Sequence, residues 1–438
     1  MPDNRWFYGW TVVAATFVVT FVGFGLAYTF AAFFPPLQRE FGAARGTVSL
    51  LFSLSGFLYF GITVVTGPLT DRFGPRRVLI AGMAFLAAGL VLASQAQTLW
   101  QVCAAYGAGV GLGVGCIYVP AIGTVQRWFN VKRGLATGLG VAGVGAGTMV
   151  MPVAAGLLID ATTWREAYLL LALVPVTLGL AGALLMEASP EQRGLLPDGR
   201  APAFVESGGA AAPPKAVVGP SIRVAVASRP FWLIYLAAFL SCLGLYTPVA
   251  HLAAYATDHG ISEHTALWLV SLIGIGSMIG RLAMGGIADR WGRRRSFAMV
   301  YAWMAGLFVY WLASSSVWAL TGFAFLFGLL GWGAFVAIFP AISADYFGGP
   351  NGTGIFGQLI TSLALGLLLG PALAGFAFDL TGNYAVPITV CAAANLIAAV
   401  IMLLVEPSEQ WRARVVDGAN GREAIRATEL GTRAASAR

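Results

Sequence analysis

The residue with the clearest chemical potential in this sequence is a single arginine, Arg281, inside an otherwise uncharged run from 266 to 288. That run is long enough to cross a bilayer, whose hydrocarbon core needs about 20 residues of helix. A charged side chain at mid-membrane costs about 2.5–3.5 kcal/mol on insertion scales, so such a residue is expected to have a function. A guanidinium can hold a carboxylate through two parallel hydrogen bonds. The sequence therefore indicates a binding site for a small carboxylate.

Two structural interpretations of Arg281 stand beside this one. The side chain could snorkel to the end of its helix, although Asp289 marks that end eight residues later, about 12 Å away at 1.5 Å per residue. It could also bond a structural partner such as a helix carbonyl. Both alternatives stay open at the level of the sequence.

The composition of the chain places it in a membrane. Of its 438 residues, 58% are hydrophobic and 10% are charged, whereas soluble domains carry about 25% charged residues. The net charge of +7 comes largely from short loops between apolar segments, which excludes a nucleic-acid partner and leaves the lipid bilayer. No hydrolytic, redox or nucleotide-binding constellation is present, so we expect neither an enzyme nor a cofactor. The four cysteines match no metal spacing.

Twelve segments are apolar and long enough to span the membrane. They are 9–34, 47–69, 77–95, 98–126, 134–158, 165–186, 230–256, 265–288, 296–314, 317–344, 353–378 and 384–405. Arginines and lysines cluster in the loops that follow spans 2, 4 and 8. The positive-inside rule then places both termini in the cytosol. The expectation is a multi-pass protein of the cell inner (plasma) membrane.

The chain also repeats itself. The segment GPLTDRFGPRR at 67–77 recurs as GGIADRWGRRR at 285–295, a shift of 218 residues. Nearly the same offset separates three further pairs, which are Pro120 and Pro340, Pro152 and Pro371, and Asp160 and Asp379. An offset that holds across several helices indicates a duplicated six-helix unit, as in one large class of secondary transporters.

The repeat and the composition divide the chain into four parts. Residues 1–190 form an N-terminal six-helix bundle, 191–228 a cytosolic linker rich in Gly, Ala and Pro, 229–407 a C-terminal six-helix bundle, and 408–438 a disordered cytosolic tail. The predicted fold is all-α, with twelve transmembrane helices in two pseudo-symmetric bundles.

The repeated loop resembles the G-x-x-x-D-R-x-G-x-R-R signature of the major facilitator superfamily, which implies that superfamily's fold. The segment RWFNVKRGLATGLGVAGVGAG at 127–147 resembles the signature of its monocarboxylate transporter family, close to the bacterial oxalate–formate antiporter group. Tyr8-Gly9-Trp10 is similar to that family's N-terminal signature without its acidic first residue. Arg281 falls where this family places a substrate-binding arginine on helix 8.

The sequence departs from that pattern at positions that matter for the proton. Animal members usually have an aspartate one turn before the helix-8 arginine, where this chain has Ser277, and a lysine on helix 1, where this chain has no charge. Oxalate exchangers carry a second intramembrane cation on helix 11. Here 353–378 has no Lys or Arg, and Gln358 is its most polar long side chain. One fixed positive charge suits one carboxylate better than two.

Eight residues form the predicted substrate site. They are Arg281, Tyr118, His251, Ser277, Tyr28, Gln358, Phe335 and Tyr384. The tyrosines could donate to a carboxylate or simply pack, and Phe335 could supply an apolar wall. His251 lies near the outer end of span 7 and can titrate near neutral pH, so it either gates on protonation or sits at the wet mouth of the cavity.

The two repeated loops predict a second, conformational element. We expect a latch on the cytosolic side, closed in the outward-open state, built from Gly67, Asp71, Arg72, Gly285, Asp289 and Arg290. Glycines of this kind allow close helix approach. The alternative is that these arginines only set topology.

The sequence as a whole predicts a monomeric secondary active transporter of small monocarboxylates, lactate-like or pyruvate-like, coupled to protons by alternating access. Three alternatives remain: an oxalate/formate-type organic anion antiporter, a proton-driven exporter of drugs or amphipathic compounds, and a membrane receptor or scaffold that does not transport.

Overall fold

The computed structural model describes residues 7–129, 133–199, 219–348 and 352–414, and its long elements there are helices. Twelve of them form the bundle. They are α1 (Gly9–Phe41), α2 (Arg45–Gly61 continued by Thr63–Phe73), α3 (Pro75–Ser94), α4 (Leu99–Trp128), α5 (Arg133–Ala161), α6 (Trp164–Leu184), α7 (Arg229–Asp258), α8 (Glu263–Trp291), α9 (Arg293–Leu312), α10 (Val317–Phe347), α11 (Gly352–Thr381) and α12 (Ala385–Leu404).

Length and hydropathy identify these helices as membrane spans. In the described residues, ten helices are long and apolar enough to cross a bilayer, and α2, which bends by 40° between Gly61 and Thr63, is an eleventh. The twelfth, α9, has 20 residues but begins with three arginines, which lower its hydropathy. The predicted all-α membrane fold with twelve helices is confirmed.

Local sequence explains where several helices begin. Thr98 caps α4 and Thr163 caps α6, each in a reciprocal pair with the side chain three residues later, Gln101 or Glu166. Such capping boxes satisfy backbone N–H groups that have no partner inside the helix. These polar residues therefore fix the positions at which α4 and α6 begin.

Glycines make the turns, and they show the duplication in the backbone itself. Gly42 and Gly260 have φ of 55° and 79°, and Gly74 and Gly292 have φ of 81° and 86°. Left-handed φ values strain residues that carry a Cβ, so these turns favour glycine. Each pair is 218 residues apart, the offset found in the sequence repeat.

Two ends of the bundle can be distinguished by the segments they carry. The terminal end carries Tyr8, the turns at Gly74 and Gly292, and the connection between the two halves of six helices each. The closed end carries the turns at Gly42 and Gly260.

The halves meet along two helix pairs, α2 with α11 and α5 with α8. Both contacts bring backbones close together. A Cβ added at Gly375 would lie 2.7 Å from Gly46 Cα, and one added at Gly274 would lie 2.8 Å from the Gly145 carbonyl oxygen. Small residues at such crossings let helices pack backbone to backbone in a membrane.

Part of the predicted tail is ordered, contrary to the expectation of disorder from residue 408. Residues 408–414 are helical, and Trp411 packs against Phe347 with ring centroids 5.1 Å apart. Arg412 also donates to the Gly348 carbonyl oxygen over 2.9 Å. Burial of an aromatic ring anchors this short helix. The rest of the tail and most of the predicted linker, at 200–218, lie outside the described residues.

Candidate functional site

A cavity lies between the two halves, nearer the terminal end. It encloses about 520 Å³ of space between atoms, part of it open to solvent. Eight helices line it through Phe24, Tyr28, Phe60, Tyr118, Val141, Val144, Tyr246, Arg281, Trp332, Phe335, Val336, Phe339, Pro340, Phe356, Ile360 and Leu363. Nine of these sixteen side chains are aromatic and one, Arg281, is charged. The wall is therefore apolar with a single fixed cation.

Arg281 links α8 to the neighbouring helix α5 in the cavity wall. Its Nη1 donates to the Val141 carbonyl oxygen over 2.9 Å, which matches the carbonyl partner allowed for by the sequence. Its Nε is buried and has no acceptor among the described residues. A buried donor without an acceptor is unfavourable, so the guanidinium keeps hydrogen-bonding capacity that an anion could use.

Three other predicted residues lie in the same cavity. Tyr28 from α1, Tyr118 from α4 and Phe335 from α10 all line it. Tyr28 packs edge-on against Trp332 with centroids 5.1 Å apart, while Phe335 stacks near Phe339 at 5.3 Å. The phenols can donate hydrogen bonds and the rings can contact apolar groups. The cavity can therefore hold a molecule with one acidic end and one apolar end.

A widened turn in α10 places a large aromatic residue that sequence reasoning did not single out. Residues Phe327–Gly333 form a π-helical segment, and Trp332 within it lines the cavity and is 1% exposed. A Cβ at Gly328 would lie 2.2 Å from the Ile273 carbonyl oxygen of α8. Widened turns of this kind are frequent at functional sites. The glycine spacing in FGLLGWG was the available signal.

Four of the eight predicted residues do not line the cavity, and two of these are Ser277 and Gln358. Ser277 is fully buried, where α8 packs so tightly on α10 that a Cβ at Gly333 would lie 2.6 Å from the Ser277 carbonyl oxygen. Its hydroxyl has no partner among the described residues. Gln358 is exposed on α11. A role for either residue in substrate binding therefore depends on a different arrangement of the helices.

His251 and Tyr384 lie together at the closed end and are not among the cavity-lining residues. His251 Nδ1 is 3.1 Å from the Tyr384 hydroxyl, and that hydroxyl accepts from Arg45 Nη1 over 3.0 Å. His251 lies five residues beyond the cavity residue Tyr246, about 7.5 Å along the helix. The two predicted residues thus belong to a separate polar group between the halves.

The predicted latch is only partly described. Asp71, Gly285 and Asp289 lie outside the residues whose side chains the structure describes, and Arg72 and Arg290 are exposed. A Cβ at Gly67 would meet no atom within 4 Å. Gly67 is therefore not at a close helix contact in this conformation, and the latch, which is expected to close in the outward-open state, stays a prediction.

The arginines that follow in the same repeated loops fasten helices within each half. Arg76 Nε donates to the Met186 carbonyl oxygen over 3.2 Å, and Arg293 pairs with Asp345 at 2.5 Å. Arg294 donates to the Leu403 carbonyl oxygen over 3.0 Å. Each of these contacts joins the terminal ends of helices in one half, so the loops stabilise the halves as units.

Comparison with known proteins finds related transporters along most of the chain. It is 28% identical to Monocarboxylate transporter 11 of Mus musculus over 399 residues, which covers 89% of this chain and 85% of that protein. It is 28% identical to Monocarboxylate transporter 2 of Homo sapiens over 424 residues, covering 92% and 86%. It is also 28% identical to MFS-type transporter 1 of Ophiocordyceps sp. (strain BCC 1869), covering 78% and 72%.

Among solved structures, the fold is similar to a bacterial homolog of the human lysosomal transporter Spinster in an inward-facing and unoccupied conformation. The TM-score is 0.63 at 15% identity, covering 91% of this chain and 95% of that one. The family model described as Major Facilitator Superfamily matches residues 16–262 and 234–432. The duplicated twelve-helix bundle, the central cavity and this match establish that the chain is a membrane transporter of the Major Facilitator Superfamily and not an enzyme.

Proposed function

We propose that this protein is a secondary active transporter that carries small monocarboxylates, of lactate or pyruvate size, by alternating access. The observation that supports this most directly is the single guanidinium in the wall of an otherwise uncharged cavity, with its Nε unpaired among the described residues. The names of the related monocarboxylate transporters point to the same class of substrate. The carboxylate would bind Arg281, and the aromatic wall would hold the apolar part.

The same residue provides a reason for the carrier to close only when it is loaded. A charged group enclosed in a low-dielectric cavity without a counter-ion is expensive, and pairing it with a carboxylate lowers that cost. Within the protein, the hydrogen-bond partner of Arg281 is a carbonyl oxygen and not a carboxylate. The two halves would therefore move more readily with substrate bound than without it.

The coupling ion that fits this substrate is a proton. Moving a lone anion into a negative cell costs about 2.3 kcal/mol per 100 mV, and one proton that moves with it cancels the charge. We place the protein in the cell inner membrane as a monomer, with the terminal end in the cytosol, because the arginine-rich loops lie at that end. The cavity would then face the cytosol in this conformation.

Uptake into liposomes tests this function. Purified protein would be reconstituted and supplied with labelled lactate, pyruvate, formate and oxalate, with and without an inward proton gradient. We expect uptake of lactate and pyruvate that rises up to about tenfold, the accumulation that cotransport with one proton can sustain across a one-unit pH gradient, and little uptake of oxalate. Empty liposomes and a proton ionophore provide the controls.

The outcomes separate the candidate functions. Counterflow of oxalate against formate without any dependence on the proton gradient would instead support the organic anion antiporter. The nine aromatic side chains of the cavity favour a second candidate, a proton-driven exporter of amphipathic compounds. That candidate predicts transport of uncharged amphipathic dyes and no competition by lactate. Absence of any flux, with binding retained, would overturn the proposal of a transporter for these acids.

A further inference from the structure

A polar group joins the two halves at the closed end, away from the cavity; its Ser49, His251 and Tyr384 are buried, and its Asp258 and Asp379 are exposed. We call it the closed-end cluster, and it consists of Arg45, Ser49, His251, Asp258, Asp379 and Tyr384. Arg45 and Ser49 belong to the first half and the other four to the second. Any movement that opens the closed end must therefore break this cluster.

Arg45 is the centre of the closed-end cluster. Its guanidinium makes two parallel hydrogen bonds of 2.6 Å to the Asp258 carboxylate and a third of 3.0 Å to the Tyr384 hydroxyl. Its carbon Cζ lies 4.0 Å from the centroid of the Phe378 ring. Planar bidentate pairing and contact with an aromatic face are the geometries that favour arginine over lysine.

Asp379 ties the same point of α2 through the backbone. Its two carboxylate oxygens accept the N–H of Arg45 over 2.9 Å and the N–H of Gly46 over 2.8 Å. It thereby caps the first turn of α2 from the end of α11, in the other half. A carboxylate in this position satisfies free N–H groups and complements the helix dipole. Both oxygens of Asp379 are consequently engaged.

His251 is fully buried between the halves. Its Nε2 lies 2.8 Å from the Pro371 carbonyl oxygen and 3.2 Å from the Ser49 hydroxyl, and the Ser49 hydroxyl itself donates to the Arg45 carbonyl oxygen. A carbonyl only accepts, so Nε2 carries the proton in the neutral ring. Nδ1 is then the acceptor.

The neutral ring completes one continuous chain of hydrogen bonds. Arg45 only donates, so the Tyr384 hydroxyl accepts from it and points its own proton at Nδ1 of His251. Every donor in this chain then has an acceptor. A second proton on Nδ1 would face the Tyr384 oxygen, would remove the acceptor for the Tyr384 proton, and would place two cations on either side of one hydroxyl.

The charged groups around His251 do not pair with the positive charge that a second ring proton would create. From α2 the charged neighbour is Arg45, from α11 it is Asp379 with both oxygens bonded, and from α7 it is Asp258, which pairs with Arg45. The nearest ring on α1 is Phe34, with its centroid 5.8 Å away. A buried charge without a contacting partner is unfavourable.

We propose that His251 is a proton-binding site that controls the closed end of the carrier. Neutral His251 completes the chain that holds the halves together, and protonated His251 breaks it and favours separation. This inference rests on the proposed function, which assigns the closed end to the outer face of the membrane. A low external pH would then keep the empty carrier open to the side that supplies both the proton and the acid.

A distance measurement between spin labels tests this site without any substrate. Labels would be placed at Gln97 and Ser315, which are exposed at the closed end of opposite halves, and the four native cysteines are buried. Between pH 8 and pH 5.5 we expect the ratio of long to short distances to rise about fivefold, as for one proton bound tenfold more tightly by the open state, with tenfold as the limit at lower pH. In His251→Gln, which keeps a donor and an acceptor but does not titrate, the ratio should change less than about twofold.

Two further variants make the test specific. His264→Gln removes the exposed pair with Asp160, which spans 2.9 Å at the same end, and should retain the full pH response. Tyr384→Phe cuts the chain and should raise the open population already at pH 8. An unchanged pH response in His251→Gln, or no response in the wild type, would overturn the proton site. If the response persists while lactate uptake is absent, the transport function fails and the proton site stands.

Discussion

At the scale of single residues, the proposed function of this protein depends on one cation in an aromatic cavity. Arg281 was identifiable because a charge in an apolar span is costly, and Tyr28, Tyr118 and Phe335 share its cavity as predicted. The Val141 carbonyl oxygen that Arg281 bonds could not be found in this way, since every residue has a carbonyl. Side-chain type reveals the cation but not its backbone partner.

Substitution of Trp332 tests whether the cavity wall selects substrates by size. It is 1% exposed and packs against Tyr28 and Tyr246. We expect Trp332→Ala to weaken competition by lactate about tenfold and to strengthen competition by a larger acid such as phenylpyruvate, because apolar pockets discriminate by about 10–200-fold per lost group. Competition for labelled pyruvate uptake measures both effects.

The matched control for that variant is Trp318→Ala. Trp318 is 85% exposed at the start of α10, far from the cavity wall, and its removal should leave the order of the competing acids unchanged. A Trp332→Ala protein that retains the wild-type order would show that the wall does not set substrate size.

The positions of His251 and Tyr384 could not be predicted from residue type alone. His251 and Tyr384 were expected at the substrate and lie in the closed-end cluster with Arg45. Residue type could indicate a titratable group near the end of span 7, but the partner Arg45 is 206 residues away in the sequence. Only the packing of α2 against α11 and α7 brings these residues together.

At the scale of helices, the halves depend on glycines where their backbones cross. An added Cβ at Gly145 would lie 3.0 Å from the Gly274 carbonyl oxygen, and one at Gly274 would lie 2.8 Å from that of Gly145. Backbone atoms cannot rotate away as a long side chain can. The α5–α8 crossing therefore tolerates no larger residue without a shift of a whole helix.

We expect Gly274→Ala to lower the melting temperature of the purified protein by several degrees, because forcing atoms into a packed contact costs about 1–3 kcal/mol. Gly138→Ala in α5 is the control, since an added Cβ there meets no atom within 4 Å. That change should leave the melting temperature equal or slightly higher, as alanine favours helix over glycine by about 0.5–1 kcal/mol. Equal melting temperatures for the two variants would contradict a tight crossing.

Hydropathy predicted the helices well because each span is a continuous apolar run. It could not predict the 40° bend in α2, the π-helical segment of α10, or the short helix at 408–414. The glycines of the widened turn pack against α8, and the short helix depends on the docking of Trp411 on Phe347. Local sequence carries little information about such contacts.

At the scale of the whole molecule, the duplication has produced two similar halves with different chemistry. The turn glycines repeat at an offset of 218 residues, and the halves meet through equivalent helix pairs, α2 with α11 and α8 with α5. Arg281 nevertheless corresponds to Thr63 in the first half. The fold therefore does not require the cation. The halves are joined by polar contacts at the closed end, and the cavity with Arg281 lies nearer the terminal end. This is the arrangement expected of one state in an alternating-access cycle.

The proposed function depends on the claim that Arg281 holds the carboxylate of the substrate. The most direct measurement is the affinity of purified protein for L-lactate in the wild type, Arg281→Ala and Arg281→Lys, with the exposed Arg223→Ala as the control. We predict a loss of about 100-fold or more in the alanine variant, since breaking a buried ion pair costs about 3–5 kcal/mol, partial recovery in the lysine variant, and wild-type affinity in the control. Wild-type affinity in Arg281→Ala would contradict the claim.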